Sequence, residues 1–458
     1  MSKLPLGISR AIANAVGRLS RLLGRGGGTT APGVALLKLR PRAVAELAPT
    51  LGGPSVVISA TNGKTTTARL LSSCVEADGR SVLANRSGSN LLRGVAAALL
   101  DVDGTDQTGV FEVDEAALSE VTAQLEPDVV ALMNLFRDQL DRYGELEHLA
   151  DRWVEIVSAL PESTIAVLNA DDPAIAELGQ HHDNVVYFGL DDPAIARTDL
   201  QHAADSVTCR NCAAPLTYDT IHLSHLGHWR CTNCGRRRPT PSVTATEVRL
   251  DGLDATHLII ATASGPITTT VSLPGVHNAY NVVAATAAAL ALDIDPDTIG
   301  PALTATEAAF GRAERVELDG RTLTLLLAKN PAGVNENLRT LLLDPEPVHL
   351  LIQLNDRTAD GRDVSWIWDV DYELAFDHIA SLTVSGDRAY DLALRFRYGG
   401  IDEDLLTVIP AVAAALDHAV ATVPAGGSLY ALPTYTSMLE LRSELARRGV
   451  AAEFWEDR

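Results

Sequence analysis

The chain has 458 residues, enough for two or three domains, and its 46% hydrophobic content with few aromatic residues is typical of an α/β protein. Its 59 acidic against 37 basic residues give a formal net charge of −22, which argues against general nucleic-acid binding because a phosphate backbone would be repelled. Neither a bilayer-spanning apolar run nor a signal peptide is present, so we expect a cytoplasmic protein without a transmembrane segment.

The first fifty residues form a basic segment on an otherwise acidic chain, since Glu46 is the first acidic residue. Apolar residues recur there at helical spacing with arginines between them, and glycines at 24 and 26–28 predict a hinge. Two interpretations stay open: a helix resting on an anionic membrane, or a helix packed on the body with its basic face in water. The apolar positions are Ile8, Ile12, Ala15, Val16, Leu19, Leu22 and Leu23, and the basic ones are Lys3, Arg10, Arg18, Arg21 and Arg25.

Residues 55–67 combine an apolar run, a polar turn and a helix, which is typical of a phosphate-binding loop. Lys64 begins the helix, where its ammonium adds to the positive end of the helix dipole, so ATP or GTP is the expected ligand. The general pattern Gly-x-x-x-x-Gly-Lys-Ser/Thr has Ile58 in place of its first glycine, which leaves a chance Gly-Lys-Thr as the alternative. Cys74 falls on the apolar face of this helix and is predicted to be a small core residue.

Apolar runs alternate with helical patterns after this loop, which predicts a parallel sheet whose strand ends line one crevice. Glu112 ends the third predicted strand and is the preferred Mg2+ ligand, together with the hydroxyl of Thr65. Asp114 and Glu115 compete for that role, and any of these acids could instead be a helix N-terminal charge. The predicted strands are 55–59, 81–84, 108–113, 128–133 and 164–168.

A four-cysteine pattern interrupts the α/β alternation at residues 205–240: Cys209, Cys212, Cys231 and Cys234, as two Cys-x-x-Cys pairs. This spacing predicts a structural Zn2+ site in a zinc ribbon that projects from the main fold, because four sulfurs leave no position for water. Disulfides or a redox or iron–sulfur site are the alternatives. The histidines between the pairs, at 222, 225 and 228, are expected at the surface.

The C-terminal half predicts three strands at 244–250, 256–262 and 266–272, an alanine-rich helix to about Leu292, and a second parallel sheet beyond Gly320. Asn278 and Asn281, at the start of that helix, could bind a flat polar ring such as adenine or simply cap the helix. The predicted strands of the second sheet are 322–328, 348–354, 380–385 and 428–432. The acidic, tryptophan-containing stretch 354–369 predicts a packed functional loop or a solvated turn.

Three of these stretches, 60–66, 168–173 and 275–281, together resemble the Mur ligase family, although Ala60 replaces the usual glycine of its loop. The cysteine insert and residues 360–369 resemble the MurT branch, the synthetase subunits of lipid II isoglutaminyl synthase. The resemblance covers nearly the whole chain. It implies a basic segment (1–50), a central P-loop domain (51–317) with a zinc ribbon inserted, and a C-terminal Rossmann-like α/β domain (318–458).

The resemblance implies an ATP-dependent carbon–nitrogen ligase that amidates the D-glutamate α-carboxylate of lipid II through an acyl phosphate. About fifty residues precede the P-loop strand, too few for the UDP-sugar-binding domain of most Mur ligases, so we expect the lipid-linked substrate to be held differently. Glu112 would ligate Mg2+, and Asn278 and Asn281 would face the adenine. The nucleotide would be bound by Thr61, Asn62, Gly63, Lys64, Thr65 and Thr66.

Ammonia in this branch comes from a partner glutaminase, GatD, and an aspartate of the synthetase subunit is thought to complete its catalytic triad. The match favours Asp363, with Asp360 second. We find no clear counterpart of the carbamylated lysine of other Mur ligases. The resemblance implies a heterodimer at the inner face of the membrane. The rival interpretations are a stand-alone amino-acid ligase of the folylpolyglutamate type and a non-catalytic nucleotide-binding zinc scaffold.

Overall fold

The computed structural model describes residues 4–22, 30–85, 88–137, 146–197, 199–202, 204–306 and 312–451. Two large sheets and one hairpin carry the described strands: a nine-stranded sheet, a six-stranded sheet and the pair β7–β8. The strands of the nine-stranded sheet are β1 (Gly52–Ser59), β2 (Ser81–Ala84), β3 (Gln107–Glu112), β4 (Val129–Leu132), β5 (Ile165–Asn169), β6 (Val185–Leu190), β9 (Val243–Asp251), β10 (Ala255–Thr262) and β11 (Gly265–Val271), and the hairpin is β7 (Leu216–Leu223) and β8 (Leu226–Cys231).

The nine-stranded sheet has the order β11-β10-β9-β6-β5-β4-β1-β3-β2, with β1 paired in parallel to both β3 and β4. The predicted strands are confirmed to within a few residues. Sequence analysis missed β6, which runs parallel to β5 and β9, whereas β9, β10 and β11 are antiparallel. The sheet is therefore mixed, and the P-loop strand β1 is the third strand from its β2 edge.

Helices cover both faces of this sheet. Along β1, successive apolar side chains point to opposite faces, so both faces are apolar and need covering. Val56 and Ile58 pack on the face covered by the helix Lys64–Ala77 (α4), whereas Val57 packs on the opposite face with Trp153. Cys74 of α4 is fully buried in the first of these cores, as predicted. The helices up to the end of this sheet are α1 (Leu6–Leu22), α2 (Ala31–Leu39), α3 (Ala43–Leu47), α4 (Lys64–Ala77), α5 (Leu92–Ala98), α6 (Leu118–Leu125), α7 (Leu146–Ser158), α8 (Pro173–Ala176), α9 (Val276–Ala291) and α10 (Pro296–Ala305).

The basic segment contains the predicted helix, α1, which packs on α2. Among the residues that the structure describes, no helix has both the length and the apolar character needed to cross a bilayer. Leu23 and the glycines predicted as a hinge lie outside the described residues.

The six-stranded sheet has the order β12-β13-β17-β14-β15-β16 and is parallel except for the antiparallel pair β12–β13. Sequence analysis predicted its four central strands but missed β12 and β16 at its edges. Its strands are β12 (Arg312–Leu318), β13 (Arg321–Leu326), β14 (Val348–Gln353), β15 (Ile379–Ser385), β16 (Leu406–Val408) and β17 (Ser428–Pro433), and its helices are α11 (Pro331–Leu341), α12 (Ala389–Gly399), α13 (Val412–Thr422) and α14 (Tyr435–Arg447). Helices α11 and α12 pack on one face and α13 and α14 on the other.

The β7–β8 hairpin packs against the nine-stranded sheet, so the expectation of surface histidines is wrong for two of the three. His222 and His225 are buried, and His228 is half-buried. His225 Nε2 lies 3.5 Å from Asp172 Oδ2, and Trp229 donates a hydrogen bond of 3.0 Å to the carbonyl of Ala170. Asp171 and Asp172, which follow β5, face the imidazoles of His222 and His225. This side of the hairpin therefore points toward the nine-stranded sheet.

Candidate active site and cysteine cluster

The phosphate-binding loop lies between β1 and α4 and is held by the end of β4. The Thr61 N–H donates to the carbonyl of Asn134, and the Asn62 N–H donates to Asn134 Oδ1 at 2.9 Å. The first N–H groups of α4 have no acceptor within the helix, so they can bind an anion. Thr65 in this turn is half-buried and Thr66 is buried. The loop is thus fixed by hydrogen bonds to Asn134, which follows β4.

Gly63 is required by both conformation and space. Its φ of +95° lies in the left-handed region, and a Cβ at this position would come within 2.0 Å of Asn281 Oδ1. Asn281 is therefore close to the loop. Its amide donates to Asn278 Oδ1 at 2.9 Å, and the Asn278 amide donates to the carbonyl of Pro274. Both asparagines are buried, and in this structure they bind each other and the start of α9.

Lys64 forms a buried ion pair with Glu115, with 2.9 Å between Nζ and Oε2, and also donates to the carbonyl of Ala60. Burial by itself lowers the pKa of Lys64, but the charge and hydrogen bond of Glu115 and the charges of Asp114 and Glu112 together outweigh it, so the net shift is upward. Burial raises the pKa of Glu115, yet Lys64 and Lys329 shift it below its ordinary value. The loop lysine is therefore a firmly held cation.

Glu112 lies at the end of β3, buried beside this ion pair. Asn85 fixes its backbone from both sides: the Glu112 N–H donates to Asn85 Oδ1, and Asn85 Nδ2 donates to the Glu112 carbonyl. Glu112 and Asp114 both contribute to the raised pKa of Lys64, which places three acidic residues around one ammonium. The structure thus brings together Lys64, Glu112, Asp114 and Glu115, all predicted from the ends of two strands.

Two residues from the second sheet complete this cluster, and sequence analysis missed both. Lys329 Nζ donates to the carbonyl of Thr61 at 3.1 Å, and the side chains of Asn330 and Asn62 bind each other, with 2.9 Å from Asn330 Nδ2 to Asn62 Oδ1. Both lie in the loop after β13, which ends at Leu326. The rule that polar residues after a parallel strand mark a site, applied to this strand, would have identified them.

The four cysteines converge, as their spacing predicts. All four sulfurs lie within 4.8 Å of one another, with 3.6 Å between Cys209 and Cys234 and 3.5 Å between Cys212 and Cys231. Tetrahedral Zn2+ with bonds of about 2.3 Å needs sulfurs about 3.8 Å apart, so the cluster fits this metal. Backbone and side-chain hydrogen bonds, first from the Arg236 N–H, lower the pKa of Cys234 to about 6 and favour its thiolate.

The two candidate triad aspartates have different surroundings. Asp360 is buried and accepts hydrogen bonds from the N–H and hydroxyl of Thr436 at the start of α14. Burial raises its pKa, partly offset by those bonds. Asp363 is exposed, and hydrogen bonds from the side chain of Ser365 and from its N–H, which lies 2.8 Å from Asp363 Oδ1, lower its pKa. Of the two, Asp363 is the ionised carboxylate that faces solvent.

An exposed aromatic surface lies beside this loop, and we call it the aromatic patch. Trp368 stacks edge-on with Tyr398 at 5.9 Å, and their exposed fractions are 48% and 76%. Tyr390 and Leu394 precede Tyr398 by eight and four residues on α12, so the three share one helix face. Large exposed apolar patches of this kind mark interaction surfaces. The patch consists of Trp368, Leu374, Tyr390, Leu394 and Tyr398.

Comparisons with known proteins agree on one family. The Mur ligase middle domain matches residues 58–235, and the MurT ligase C-terminal domain matches residues 327–438. Lipid II isoglutaminyl synthase (glutamine-hydrolyzing) subunit MurT from Streptococcus pneumoniae is 31% identical over 440 residues, covering 94% of this chain and 95% of that protein. The subunit of the same name from Staphylococcus aureus is 30% identical over 443 residues, covering 95% and 97%.

Solved structures extend the agreement to the fold. A pseudomurein peptide ligase type C from Methanothermus fervidus superposes with a TM-score of 0.69 at 22% identity, covering 87% of this chain and 79% of that one. A likeness at this identity concerns the fold alone, and it shows that the α/β arrangement is that of a Mur ligase. Taken with the full-length relatives, it shows that the chain belongs to the MurT family of Mur ligases.

Proposed function

We propose that the chain is the synthetase subunit of a lipid II isoglutaminyl synthase and amidates the α-carboxylate of D-glutamate in the lipid II stem peptide. The observation that carries the proposal is the cluster at the P-loop. Lys64 and Lys329 approach one loop from two sheets, beside three acidic residues, in a chain related to MurT subunits over nearly its full length. Paired cations beside metal-binding carboxylates suit the transfer of a phosphoryl group.

The reaction would proceed in two steps. The substrate carboxylate takes the γ-phosphoryl group of ATP and releases ADP, which gives an acyl phosphate. Ammonia then attacks the acyl carbon, and phosphate leaves as D-isoglutamine forms. Lys64 and Lys329 would reduce the repulsion between an anionic carboxylate and a triphosphate, which is the main obstacle to the first step.

The nucleotide would be bound by the residues of the loop, with the adenine toward Asn278 and Asn281. A phosphate oxygen would compete with Glu115 for the ammonium of Lys64, so ATP binding would loosen the ion pair seen here. Glu112 and the hydroxyl of Thr65 would hold Mg2+, which supplies positive charge to the transferred phosphoryl group.

The cysteine cluster would hold one structural Zn2+. The sulfur distances and the closed four-sulfur donor set support zinc over a catalytic metal. The metal would tie the loops at 209–212 and 231–234 together and so form a zinc ribbon with β7 and β8. Because His225 and Trp229 pack this hairpin on the nine-stranded sheet, zinc would stabilise that contact as well.

The partner would be a glutaminase of the GatD type, with which the chain forms a heterodimer that receives ammonia. Asp363 would complete the glutaminase triad, because it is exposed and ionised whereas Asp360 is occupied by Thr436. The neighbouring aromatic patch would be the docking surface, since aromatic side chains dominate the binding energy of interfaces.

The domain division follows the two sheets: a basic segment to residue 50, an ATP-binding domain from residue 51 to about 317 with its insert at 205–240, and a Rossmann-like domain from about 318. Because β12 (Arg312–Leu318) pairs with β13 in the second sheet, this pairing would move the boundary from about 318 to before Arg312. Because lipid II is lipid-linked, the enzyme would work in the cytoplasm, at the inner face of the membrane.

The test is amidation of lipid II by the purified chain with ATP and glutamine, in the presence and absence of a GatD-type glutaminase. We expect product only when both proteins are present, and loss of product with Lys64→Ala, which removes the loop cation. Phosphate release driven by a free amino acid without glutaminase and lipid II would instead indicate a stand-alone ligase. Unchanged amidation by Lys64→Ala would indicate a scaffold.

A further inference from the structure

Three small residues of helix α1 face the rest of the protein. Ser9 and Ala13 are fully buried, and a Cβ at Gly17 would come within 3.3 Å of Pro32 on α2. These positions repeat at intervals of four and therefore form one face of the helix. Small side chains on this face allow the backbones of α1 and α2 to approach closely.

The large aliphatic residues of α1 lie on a different face and are left in solvent. Ile8, Ile12, Val16 and Leu19 have exposed fractions of 50%, 40%, 36% and 57%. Intervals of four, four and three put them on one stripe, which we call the aliphatic stripe. A surface helix ordinarily packs such a stripe on the core, whereas here about half of each of these side chains is exposed to solvent.

The charge around the aliphatic stripe has the opposite sign to that of the whole molecule. No acidic residue precedes Glu46, whereas the full chain carries a net charge of −22. Arg18 is exposed on α1, and Arg10 points its guanidinium back to the carbonyl of Leu100 at 3.4 Å. An anionic surface would therefore be attracted to this end of the protein and repelled by most of the rest.

A lipid surface suits the aliphatic stripe better than a protein surface does. The stripe contains only isoleucine, valine and leucine, whereas protein interfaces depend on tryptophan, tyrosine and arginine anchors. A basic helix with one aliphatic face and no capacity to span is the usual design of a helix that lies in the plane of a membrane.

We propose that α1 binds an anionic phospholipid bilayer, with Ile8, Ile12 and Leu19 in the acyl boundary and Arg18 among the headgroups. The contact with α2 stays in place, because it uses the other face of the helix. The inference does not rest on the proposed reaction, although it would hold the enzyme beside a lipid-linked substrate.

The test is co-sedimentation of the full chain with vesicles of phosphatidylglycerol and phosphatidylcholine, compared with vesicles of phosphatidylcholine alone. We expect sedimentation with the anionic vesicles, weakened by added salt because screening reduces the headgroup attraction. The triple variant Ile8→Ser, Ile12→Ser, Leu19→Ser should lower the partition coefficient by at least about tenfold, since three aliphatic side chains no longer enter the bilayer.

The matched control is Leu343→Ser, which removes an equally exposed leucine after α11 and should leave sedimentation unchanged. Circular dichroism checks that the triple variant stays folded, and ATP binding, which the variant should retain, separates this proposal from the proposed reaction. Equal sedimentation with both vesicle types, or full binding by the triple variant, would overturn the inference. Self-association in vesicle-free solution that the triple variant abolishes would overturn it as well, in favour of a second copy.

Discussion

The placement of the Lys64 ammonium depends on neighbouring residues as well as on the sequence motif. The Gly-Lys-Thr pattern predicts its position, and the buried carboxylate of Glu115 fixes its ammonium against the loop. For Glu115 the pKa lies below its ordinary value, so this carboxylate stabilises the fold above the unfolded pKa of about 4.3, and that stabilisation is lost as pH falls through the lower folded pKa.

Lys329 gives the first prediction at this scale. Lys329→Ala should lower the amidation rate by about a hundredfold, because it removes a cation positioned near the loop where negative charge develops. Steady-state kinetics with ATP and lipid II in the reconstituted pair measures this, and the exposed Lys38→Ala on α2 is the control. An undiminished kcat would exclude Lys329 from the reaction.

The two loop aspartates give the second prediction. Asp363→Asn should abolish most of the glutaminase activity of the pair while ATP binding by this chain persists, because only the exposed carboxylate can reach another protein. Asp360→Asn should instead lower thermal stability, because it weakens the bonds to Thr436. Full glutaminase activity in both variants would refute the assignment of the triad residue to this loop.

Helix α11 contains a buried glutamate side chain. Glu336 is buried on it, and within the described residues neither of its carboxylate oxygens accepts a hydrogen bond. The nearest cation, Arg339, has its Nη1 at 3.8 Å. Burial raises the pKa of Glu336, only partly countered by Arg339 and Arg197. The folded protein therefore holds this proton more tightly than the unfolded chain does.

The buried carboxylate of Glu336 predicts that the stability of the folded protein depends on pH. Because the folded pKa is raised, Glu336 makes the protein less stable as pH rises from the unfolded pKa of about 4.3 to the folded one. Glu336→Gln should raise the melting temperature, by an amount that grows with pH over that window and then levels off. Thermal unfolding across pH measures it, and Glu120→Gln, at an exposed position of α6, should show no such trend.

The cysteine cluster gives a prediction about the bound metal. Replacing all four ribbon cysteines by serine should reduce bound zinc from about one per chain to none and lower the melting temperature, because the hairpin loses its metal and strains its packing on the sheet. Elemental analysis of the purified protein measures the metal. Cys74→Ser, a buried cysteine outside the cluster, should keep it. Stoichiometric zinc in the fourfold variant would place the metal elsewhere.

At the scale of the whole molecule, the site depends on the contact between two sheets. The loop after β1 and the residues after β13 meet through Asn62 with Asn330 and Thr61 with Lys329, although they are far apart in sequence. A relative movement of the two parts would separate the lysines. The contact between the two sheets therefore completes the cation cluster.

The aromatic patch gives a prediction at this scale. Tyr390→Ser with Tyr398→Ser should weaken glutaminase binding by roughly thirtyfold, because loss of an interface hot spot costs about 2 kcal/mol. Co-purification and calorimetric titration measure the binding. Nucleotide binding should be unaffected, and Leu343→Ser is the control. Wild-type affinity in the double variant would place the interface on another surface.

The sequence by itself determined the local features of this protein, because they depend on residues close along the chain. The P-loop strand and helix, most strands of both sheets and the cysteine pattern are all local. Strand β6 was missed although its Val-Val-Tyr-Phe run is typical of a strand, and its place in the sheet is set by pairing with β5 and β9. The edge strands β12 and β16 were also missed.

Only the tertiary structure decided which distant residues meet. It buried His222 and His225, added Lys329 and Asn330 to the phosphate loop, and distinguished the exposed Asp363 from the buried Asp360. It also showed that α1 packs by its small residues and leaves its aliphatic stripe exposed. The physical reason is that burial, hydrogen bonding and charge pairing depend on packing between elements, which periodicity within one element does not specify.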